Sequence, residues 1–176
     1  MSVSWTVAYG RLRHAPDFKR YFPGPAKADG TPQPLPPFAF RALTYIQTFT
    51  VAAQATVGPS QQNFPAGAVI LGIKASAYQD QTTAGAYTYG PSEHRSRLDL
   101  FNFNLQYTND ELITPSGPGN AAAIMGDGIS NEFPQTELLI PPSQGLLATV
   151  VSNAIAGAPD LNITIAYHTM VPRAVG

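Results

Sequence analysis

The chain has 176 residues, of which 44% are hydrophobic and 12% are charged, and it contains no cysteine. This length suffices for one domain with a sizeable core. The absence of cysteine excludes disulfides, thiolate metal sites and cysteine nucleophiles. The charged share is about half of the roughly 25% found in an average soluble domain. Because charge keeps free monomers apart, so low a share favours a surface that meets other chains.

The N-terminal segment and the apolar runs give no sign of export or membrane insertion. The first residues, MSVSWTVAYGRLRHAPDF, lack the apolar core of a signal peptide. No run approaches the roughly 18 apolar residues of a membrane span. We therefore expect a protein that is made in the cytoplasm and has no membrane partner.

Charge is distributed unevenly along the chain. Residues 1–41 hold six Lys/Arg and two acids, whereas residues 42–176 hold four Lys/Arg and nine acids. The two parts carry +4 and −5, which sum to the net charge of −1. A basic segment on an acidic body favours attraction between neighbouring copies, and a solvated tail is the alternative. The negative body disfavours a specific nucleic-acid partner, since phosphate binding relies on Lys and Arg.

The N-terminal part is predicted to form an extended arm. Alternation of larger apolar residues with smaller neighbours in SVSWTVAY, residues 2–9, predicts a short strand. The stretch PGPAKADGTPQPLPPFAF, residues 23–40, is rich in proline, which removes backbone donors and keeps the preceding residue extended. We expect this arm to become ordered only in an assembly, where it lies across another subunit.

Residues 42–57 predict a half-buried strand, because their side chains alternate between two faces. One face carries Leu43, Tyr45, Gln47, Phe49 and Val51, and the other carries Thr44, Ile46, Thr48 and Thr50. The turn-rich stretch 58–67 follows. A second strand is predicted over residues 68–78, which begin as a continuous apolar run.

The second half of the chain predicts four more strands after a polar loop at residues 79–96. The segment 97–107 predicts a strand with a bulge between Leu100 and Phe101, where the apolar parity shifts by one. The segment AAAIM predicts one short helical turn. The last three strands are predicted over residues 136–140, 146–153 and 161–171.

These elements predict an all-β protein with a single antiparallel β-sandwich or jelly roll and an extended N-terminal arm. No segment of helical period reaches twelve residues, and Gly/Pro-rich turns separate the strands. The arm is expected to span residues 1–41 and the sandwich residues 42–176.

The C-terminal run TELLIPPSQGLLATVVSNAIAGAPDLNITIAYHTMVPR carries a family resemblance. It reads as a strand, a Pro-Pro turn, an apolar strand ending in Asn153, a short loop, an Asn-Ile-Thr strand and Arg173. With AVILGIKASAY and LDLFNFNLQY before it, the chain resembles small β-sandwich virion proteins of tailed bacteriophages, including head decoration or cement proteins and related minor capsid proteins. The resemblance covers about residues 42–173.

The resemblance implies a non-enzymatic structural role on the capsid surface of a virion, assembled in the host cytoplasm. It also implies a homo-oligomer. A trimer is favoured, because decoration proteins commonly occupy threefold positions.

The residues that carry chemistry in other proteins form no catalytic or metal-binding motif here. His14, His94 and His168 show no metal-ligand spacing. The stretch GDGISNE, residues 126–132, offers oxygen ligands but lacks the EF-hand pattern, so a glycine turn is preferred to a calcium site. Serine-nucleophile and phosphate-loop motifs are missing. We therefore expect no enzyme activity, no metal and no cofactor.

Candidate interface residues come from the arm and from one loop. Basic and apolar side chains of the arm can contact a neighbouring subunit, and exposed tyrosines in the loop 79–96 can anchor an interface. The assembly-interface candidates are Trp5, Arg11, Arg13, Lys19, Arg20, Tyr21, Phe22, Phe38, Phe40, Tyr87 and Tyr89.

Two functions are therefore open. In the first, the protein binds and stabilises a bacteriophage capsid lattice, with the major capsid protein or other virion proteins as partners. In the second, the tyrosine-bearing loop makes it a carbohydrate- or receptor-binding jelly-roll module of a phage particle, in a head fibre, collar or tail. Loss of glycan or cell binding on Tyr87→Ala and Tyr89→Ala would favour the second function.

Overall fold

The structure, a computed structural model, describes residues 4–79, 98–109, 111, 113–114, 118–125 and 137–173. These residues form eight strands: β1 (Phe40–Val51), β2 (Thr56–Phe64), β3 (Ala68–Gln79), β4 (Phe101–Tyr107), β5 (Gly119–Asn120), β6 (Leu138–Ile140), β7 (Gln144–Ser152) and β8 (Leu161–Pro172). They also form the helices α1 (Trp5–Leu12), α2 (Pro16–Tyr21) and α3 (Ala121–Met125), and short 3-10 turns at Pro37–Ala39 and Leu98–Leu100.

The strands form two four-stranded sheets in which every pairing is antiparallel. The first sheet has the order β1-β8-β3-β6, and the second sheet has the order β2-β7-β4-β5. The first strand thus pairs with the last, the second with the seventh, the third with the sixth and the fourth with the fifth. This is one long hairpin wound over itself, and it confirms the predicted antiparallel sandwich of the jelly-roll type.

The core lies between the two sheets and follows from the alternation within each strand. Successive side chains of a strand point to opposite faces, so every second residue is buried. The inward residues of β4 and β8 are Phe101, Phe103, Leu105, Leu161, Ile163, Ile165 and Tyr167, each at most 1% exposed. Burying a large apolar side chain contributes about 1.5–3 kcal/mol, so these two strands anchor the sandwich.

β1 confirms the predicted alternation but is shorter than predicted. Its odd-numbered residues from Leu43 to Val51 face the core, and its even-numbered residues from Thr44 to Thr50 face outward. The strand ends at Val51, and the chain reverses through a turn in which Gln54 has a φ of 62°. The predicted single strand is therefore divided between β1 and the start of β2.

β2 lies mainly in the stretch predicted as a turn, because its sequence, TVGPSQQNF, has weak strand signals. It is polar and contains Gly58 and Pro59, and a proline lacks the N–H that an interior ladder needs. The strand lies at the edge of the second sheet, and a bulge between Val57 and Ser60 accommodates the proline. Pairing with β7 makes a strand of a segment whose own sequence favours a turn.

The segment before β4 also differs from its prediction. Leu98–Leu100 forms a 3-10 turn, and the strand begins at Phe101. The shift in apolar parity therefore marks the junction of a turn with a strand, and the predicted bulge is wrong. The short helical turn predicted for AAAIM is confirmed as α3.

The first half of the N-terminal segment is helical, so the predicted strand over residues 2–9 is wrong. Trp5, Tyr9 and Leu12 follow one another at helical spacing, and Phe18 and Phe22 repeat the spacing of four. A pattern of eight residues fits alternation and a helix about equally well. The helix prevails because it lets all five side chains pack on one apolar surface.

The proline-rich half folds back on itself, so the prediction of an extended arm is wrong here as well. An isolated bridge pairs Pro23 with Pro34, and the Gly24 N–H donates to the Gln33 carbonyl at 2.8 Å. The residues between these pairs form an exposed loop. The prolines stiffen this loop, and the backbone bonds at its base close it.

The whole N-terminal segment, residues 4–39, is called the leader here, and it packs on the outer face of the first sheet of its own chain. Phe18 and Phe22 are 0% and 1% exposed. They form a cluster with Phe40, Val69 and Met170 from β1, β3 and β8, which we call the leader cluster. The expectation that the arm is ordered only across another subunit is therefore wrong, because its aromatic residues find an apolar surface on the same chain.

Candidate interaction surface

Phe40 lies at the centre of the leader cluster. The centroid of its ring is 5.0 Å from that of Trp5, 5.4 Å from that of Phe22 and 5.9 Å from that of Phe18. Aromatic rings at these separations attract one another beyond the effect of burial alone. Three of the interface candidates therefore hold the leader on its own sheet, namely Trp5, Phe22 and Phe40.

Two side-chain hydrogen bonds fix α1 to the chain that leads into β1. Trp5 Nε1 donates to the Pro37 carbonyl at 3.2 Å, and Tyr9 Oη donates to the Leu35 carbonyl at 2.8 Å. Burial raises the pKa of the Tyr9 phenol, although the charge of Arg13 opposes the shift. The phenol therefore stays a neutral donor at ordinary pH.

One basic interface candidate joins the leader to the body. Arg11 forms an ion pair with Glu137, the residue before β6. The Glu137 side chain is only 8% exposed, whereas that of Arg11 is 59% exposed. At this pair, the attraction between basic leader and acidic body acts within one chain and not between copies.

The other basic candidates lie around the rim of the leader. Arg13 Nε donates to His14 Nε2 at 3.1 Å. The Arg20 guanidinium lies 6.0 Å from the centroid of the Tyr21 ring, a weak cation–π distance. Lys19 is half-buried. These basic residues therefore lie at the periphery of the docked leader.

Phe38 is the apolar candidate that stays open to solvent in the described part of the chain, with 77% of its surface exposed. It lies in the 3-10 turn at the end of the leader, directly before β1. The other loop candidates, Tyr87 and Tyr89, lie outside the described residues, and so do His94 and the stretch GDGISNE.

Beyond the leader, no described element covers the outer face of the first sheet, and we call this part the open face. The strand register arranges it in four rows across β1, β8 and β3: Thr44, His168 and Gly72; Ile46, Ala166 and Lys74; Thr48, Thr164 and Ser76; Thr50, Asn162 and Tyr78. Of these twelve residues, Lys74 is the only formally charged one. The alternation of β1 predicts its outward residues, but the sequence does not show that three strands share the surface.

Small hydroxyl-bearing side chains dominate the open face. Thr44 Oγ1 lies 3.3 Å from His168 Nδ1, and Thr50 Oγ1 donates to Asn162 Oδ1 at 3.0 Å. Ile46 is 62% exposed at the edge of this face. Depletion of charge is one compositional mark of an interface core, and the open face shares it.

A cleft of about 430 Å³ lies where the leader meets the second sheet. Its walls come from α2, from the end of β4 and the loop after it, and from the connection between β6 and β7. The cleft is lined by Asp17, Arg20, Tyr21, Tyr107, Asn109, Glu111, Leu139, Pro141 and Gln144. These residues come from three separate stretches of sequence, so no local sequence motif predicts them.

Planar polar groups and two tyrosines converge on this cleft. The Glu111 N–H donates to Asn109 Oδ1 at 3.3 Å, which holds the loop after β4 in a turn. Burial is the main cause that raises the pKa of the Tyr107 phenol, and the nearby Glu111 and Tyr21 raise it further. The phenol therefore remains a hydrogen-bond donor. Amide, carboxylate, guanidinium and phenol groups around a concave surface can hydrogen-bond the hydroxyls of a small polar ligand.

Among the residues that the structure describes, no group of three or more His, Asp or Glu side chains could hold a metal ion. None of the helices described here has the length and apolar character needed to cross a membrane. No protein-family model, no curated protein and no solved structure matches this chain.

Proposed function

We propose that this protein is a non-enzymatic structural component of a bacteriophage virion, which binds and stabilises the capsid lattice as a decoration or cement protein. The open face and the exposed Phe38 contact the major capsid protein or another virion protein. The observation that carries the proposal is the open face itself, with one charge among its twelve outward positions.

Desolvation favours a protein partner for this surface. Burying a carboxylate or an ammonium group against another protein costs several kcal/mol unless it is paired. The open face holds no carboxylate, and its threonine and serine side chains can exchange water for a neighbour's hydrogen bonds at small cost. A jelly roll occurs in capsid proteins and in lectins alike, so the proposal rests on the open face and not on the fold.

Within this proposal the protein acts as a homo-oligomer on the particle. The resemblance implies a trimer, whereas the outer strand of the first sheet favours a two-fold contact. The mass of the particle-bound species, released under mild conditions and measured by native mass spectrometry, distinguishes the two arrangements.

The direct test is the composition of virions. Particles purified from the virus whose genome carries the gene should contain the chain at a fixed molar ratio to the major capsid protein, measured by quantitative mass spectrometry. Labelling with an antibody should place it on the outside of the head. Its absence from purified particles would overturn the proposal.

A charge variant tests the open face. Ser76 lies in the third of the four rows of this face, so Ser76→Lys places a charge where desolvation would be required. We expect co-sedimentation with shells of the major capsid protein to weaken by at least about tenfold, the equivalent of 1.4 kcal/mol. Ala123→Lys, which adds the same charge at an exposed site on α3, should bind as the unaltered chain does. Equal binding by both variants would exclude the open face as the contact.

A second function, recognition of a host carbohydrate or receptor by a phage particle, is favoured by the cleft. Its volume lies in the range of small-molecule sites, and its lining combines tyrosine rings with planar polar groups. In this case the protein belongs to a head fibre, a collar or a tail, and the ligand is a neutral or weakly charged saccharide.

Glycan binding tests this second function. Binding to a glycan array should be lost in Glu111→Gln, which keeps side-chain size while removing charge, and in Arg20→Gln, which removes the guanidinium. Lys74→Gln on the open face is the matched control and should bind normally. The variants Tyr87→Ala and Tyr89→Ala report separately on the loop 79–96. Absence of binding to any glycan at millimolar concentration counts against the cleft.

A further inference from the structure

One side of the β1 backbone has no strand partner in the part of the chain that the structure describes. Among the described strands, β1 is the outer strand of the first sheet and pairs with β8 alone. The Arg173 N–H donates to the Ala39 carbonyl, and the Thr169 hydroxyl donates to the Leu43 carbonyl. The odd-numbered residues of β1 therefore direct their backbone groups toward β8, and the even-numbered ones direct theirs outward, as an antiparallel ladder requires. Among the described residues, Arg173 Nε donates to the outward carbonyl of Phe40 at 3.4 Å, and the outward groups from Ala42 to Thr50, which we call the free edge, have no partner.

The free edge lacks the features that keep sheet edges from pairing with other chains. β1 has twelve residues, its register with β8 is unbroken from Phe40 to Val51, and it contains no proline. Its one charged residue, Arg41, lies at its beginning. Natural edge strands are usually shortened, bulged, or protected by proline and inward-pointing charges.

The remaining edge strands of the two sheets show such protection. β6 has three residues and β5 has two, which is too short to offer a ladder. β2 is longer, but Pro59 and the bulge between Val57 and Ser60 interrupt it. β3 is as long as β1, but β6 pairs with its first three residues, Ala68–Ile70, and its register with β8 shifts between Ile70 and Gly72. Within the described residues, β1 is thus the long strand with an unbroken register that is paired with a strand on one side only.

We propose that two copies of this chain pair through their free edges, with the two β1 strands antiparallel about a two-fold axis near Ile46. The two first sheets, each of four strands, then become one continuous sheet. A two-fold contact uses the same patch on both subunits, so the patch must be complementary to itself.

The sequence of β1 meets that condition. With the axis at Ile46, this exposed side chain lies against Ile46 of the second copy, and Thr44 lies opposite Thr48. Arg41 lies opposite Val51 of the second copy, at the far end of the strand, so the one charge never meets its own copy. Like charges directly across a strand pair are destabilising, and apolar or threonine pairs are stabilising. This self-complementarity favours a second copy over a foreign strand as the occupant of the free edge.

The contact does not depend on what the open face binds. It concerns the backbone edge, whereas the capsid contact proposed above concerns the side chains of the sheet surface. It bears on the proposed function through the number of subunits only. A two-fold contact gives an even number, and a trimer would need a different surface.

Backbone hydrogen exchange tests the free edge directly. In the monomer, the amides of Thr44, Ile46 and Thr48 face solvent and should exchange fast, whereas those of Leu43 and Tyr45 are already paired with β8. Raising the concentration from low micromolar to millimolar should protect the even-numbered amides in step with an increase in mass from 18.7 kDa to twice that value, followed by sedimentation equilibrium.

Two variants sharpen the test. Ile46→Lys brings two like charges together at the axis and should weaken self-association by at least about tenfold. Thr48→Pro removes an outward N–H at an edge position, where proline is tolerated, and should have the same effect. Ser76→Lys, on the same face but in β3, which β8 separates from the free edge, should self-associate normally even if it no longer binds capsid shells.

The outcomes separate this inference from the proposed function. A mass of 18.7 kDa at every concentration, with the even-numbered amides always unprotected, overturns the β1 contact and leaves the capsid test unaffected. An oligomer that persists in Ile46→Lys and Thr48→Pro shows that another surface is used. Protection of the even-numbered amides in the monomer shows that the chain covers its own edge, and it also overturns the inference.

Discussion

Tyr167 Oη donates a hydrogen bond to Gln47 Oε1 at 2.8 Å inside the sandwich, and Gln47 Nε2 donates to the Ser60 carbonyl at 2.9 Å. A side chain of β1 is thus bonded to β8 of its own sheet and to the backbone of β2 in the second sheet. An unpaired amide among core residues would be costly. These two bonds satisfy Gln47 and join the two sheets at the side where β1 and β2 form their edges.

Replacement of Tyr167 by Phe should destabilise the protein, because it leaves Gln47 Oε1 without its donor in a buried site. We expect the free energy of unfolding to fall by about 1–3 kcal/mol, measured by urea denaturation at pH 7. Tyr78→Phe, which removes a hydroxyl from a side chain that is 60% exposed, should change stability by less than about 0.5 kcal/mol. Equal effects of the two changes would mean that the buried bond contributes nothing.

Ionisation of the Tyr167 phenol should make the stability of the protein depend on pH in the alkaline range. Burial raises the pKa of Tyr167 well above the value of about 10 that the residue has in an unfolded chain. The folded state then holds the proton more tightly than the unfolded state does. This contribution is fully present below pH 10 and is lost as the pH rises above it. Urea denaturation at pH 7 to 11 should show a steeper alkaline decline for the unaltered protein than for Tyr167→Phe.

Phe40 and Phe38 are only two residues apart, but Phe40 is buried and Phe38 is exposed. Phe40→Ala removes the ring at the centre of the leader cluster and should cost about 3–5 kcal/mol. It should also release the leader, so that trypsin cleaves at Arg11 and Arg13 much faster. Phe38→Ala, at a 77% exposed site, should leave stability and cleavage unchanged. Slow cleavage in both variants would contradict the assigned docking of the leader.

Gly24 and Gly10 should respond to alanine with opposite signs. A Cβ on Gly24 would lie 2.6 Å from the Pro34 carbonyl oxygen at the base of the proline-rich loop, so the backbone must shift. We expect Gly24→Ala to cost about 1–3 kcal/mol. Gly10 lies in α1 with open space around it, and Gly10→Ala should stabilise the helix by about 0.5–1 kcal/mol. Thermal unfolding of both variants checks the two signs.

The ion pair between Arg11 and Glu137 should contribute modestly and in a salt-dependent manner. Arg11 is largely exposed, so Arg11→Ala should lower the free energy of unfolding by about 0.5–1 kcal/mol at low salt. The difference should shrink in molar salt, where charges are screened within a few ångströms. Arg13→Ala is the control and should have a smaller effect. An Arg11 effect that does not change with salt would assign it to lost packing of the side chain.

Much of the sandwich could be predicted from the sequence. The alternation in β1 and β8 defines their buried faces, since a period of two with apolar residues on one side is typical of a half-buried strand. The proline and glycine turns delimit the later strands in the same way. β2 could not be predicted, because Pro59 and a run of polar residues give a turn signal that only pairing with β7 overrides.

The interaction surfaces could be predicted from the sequence less well than the fold. The aromatic residues of the leader identify it as an apolar segment, but nothing local says whether the surface it covers belongs to its own chain. The rows of the open face and the lining of the cleft join residues from strands that are far apart in sequence. Their proximity is a consequence of strand order and register, which a single sequence does not display.

The sequence by itself determined the all-β class, the faces of the long strands and the low charge of the surface, because composition and side-chain periodicity are local properties. The tertiary structure decided that the leader is helical and docks on its own sheet, and that β1 is left with a free edge. Both depend on which strands become neighbours. A helix in the leader is selected by the apolar surface that Phe40, Val69 and Met170 expose together, and an edge exists only once the order of the sheet is fixed.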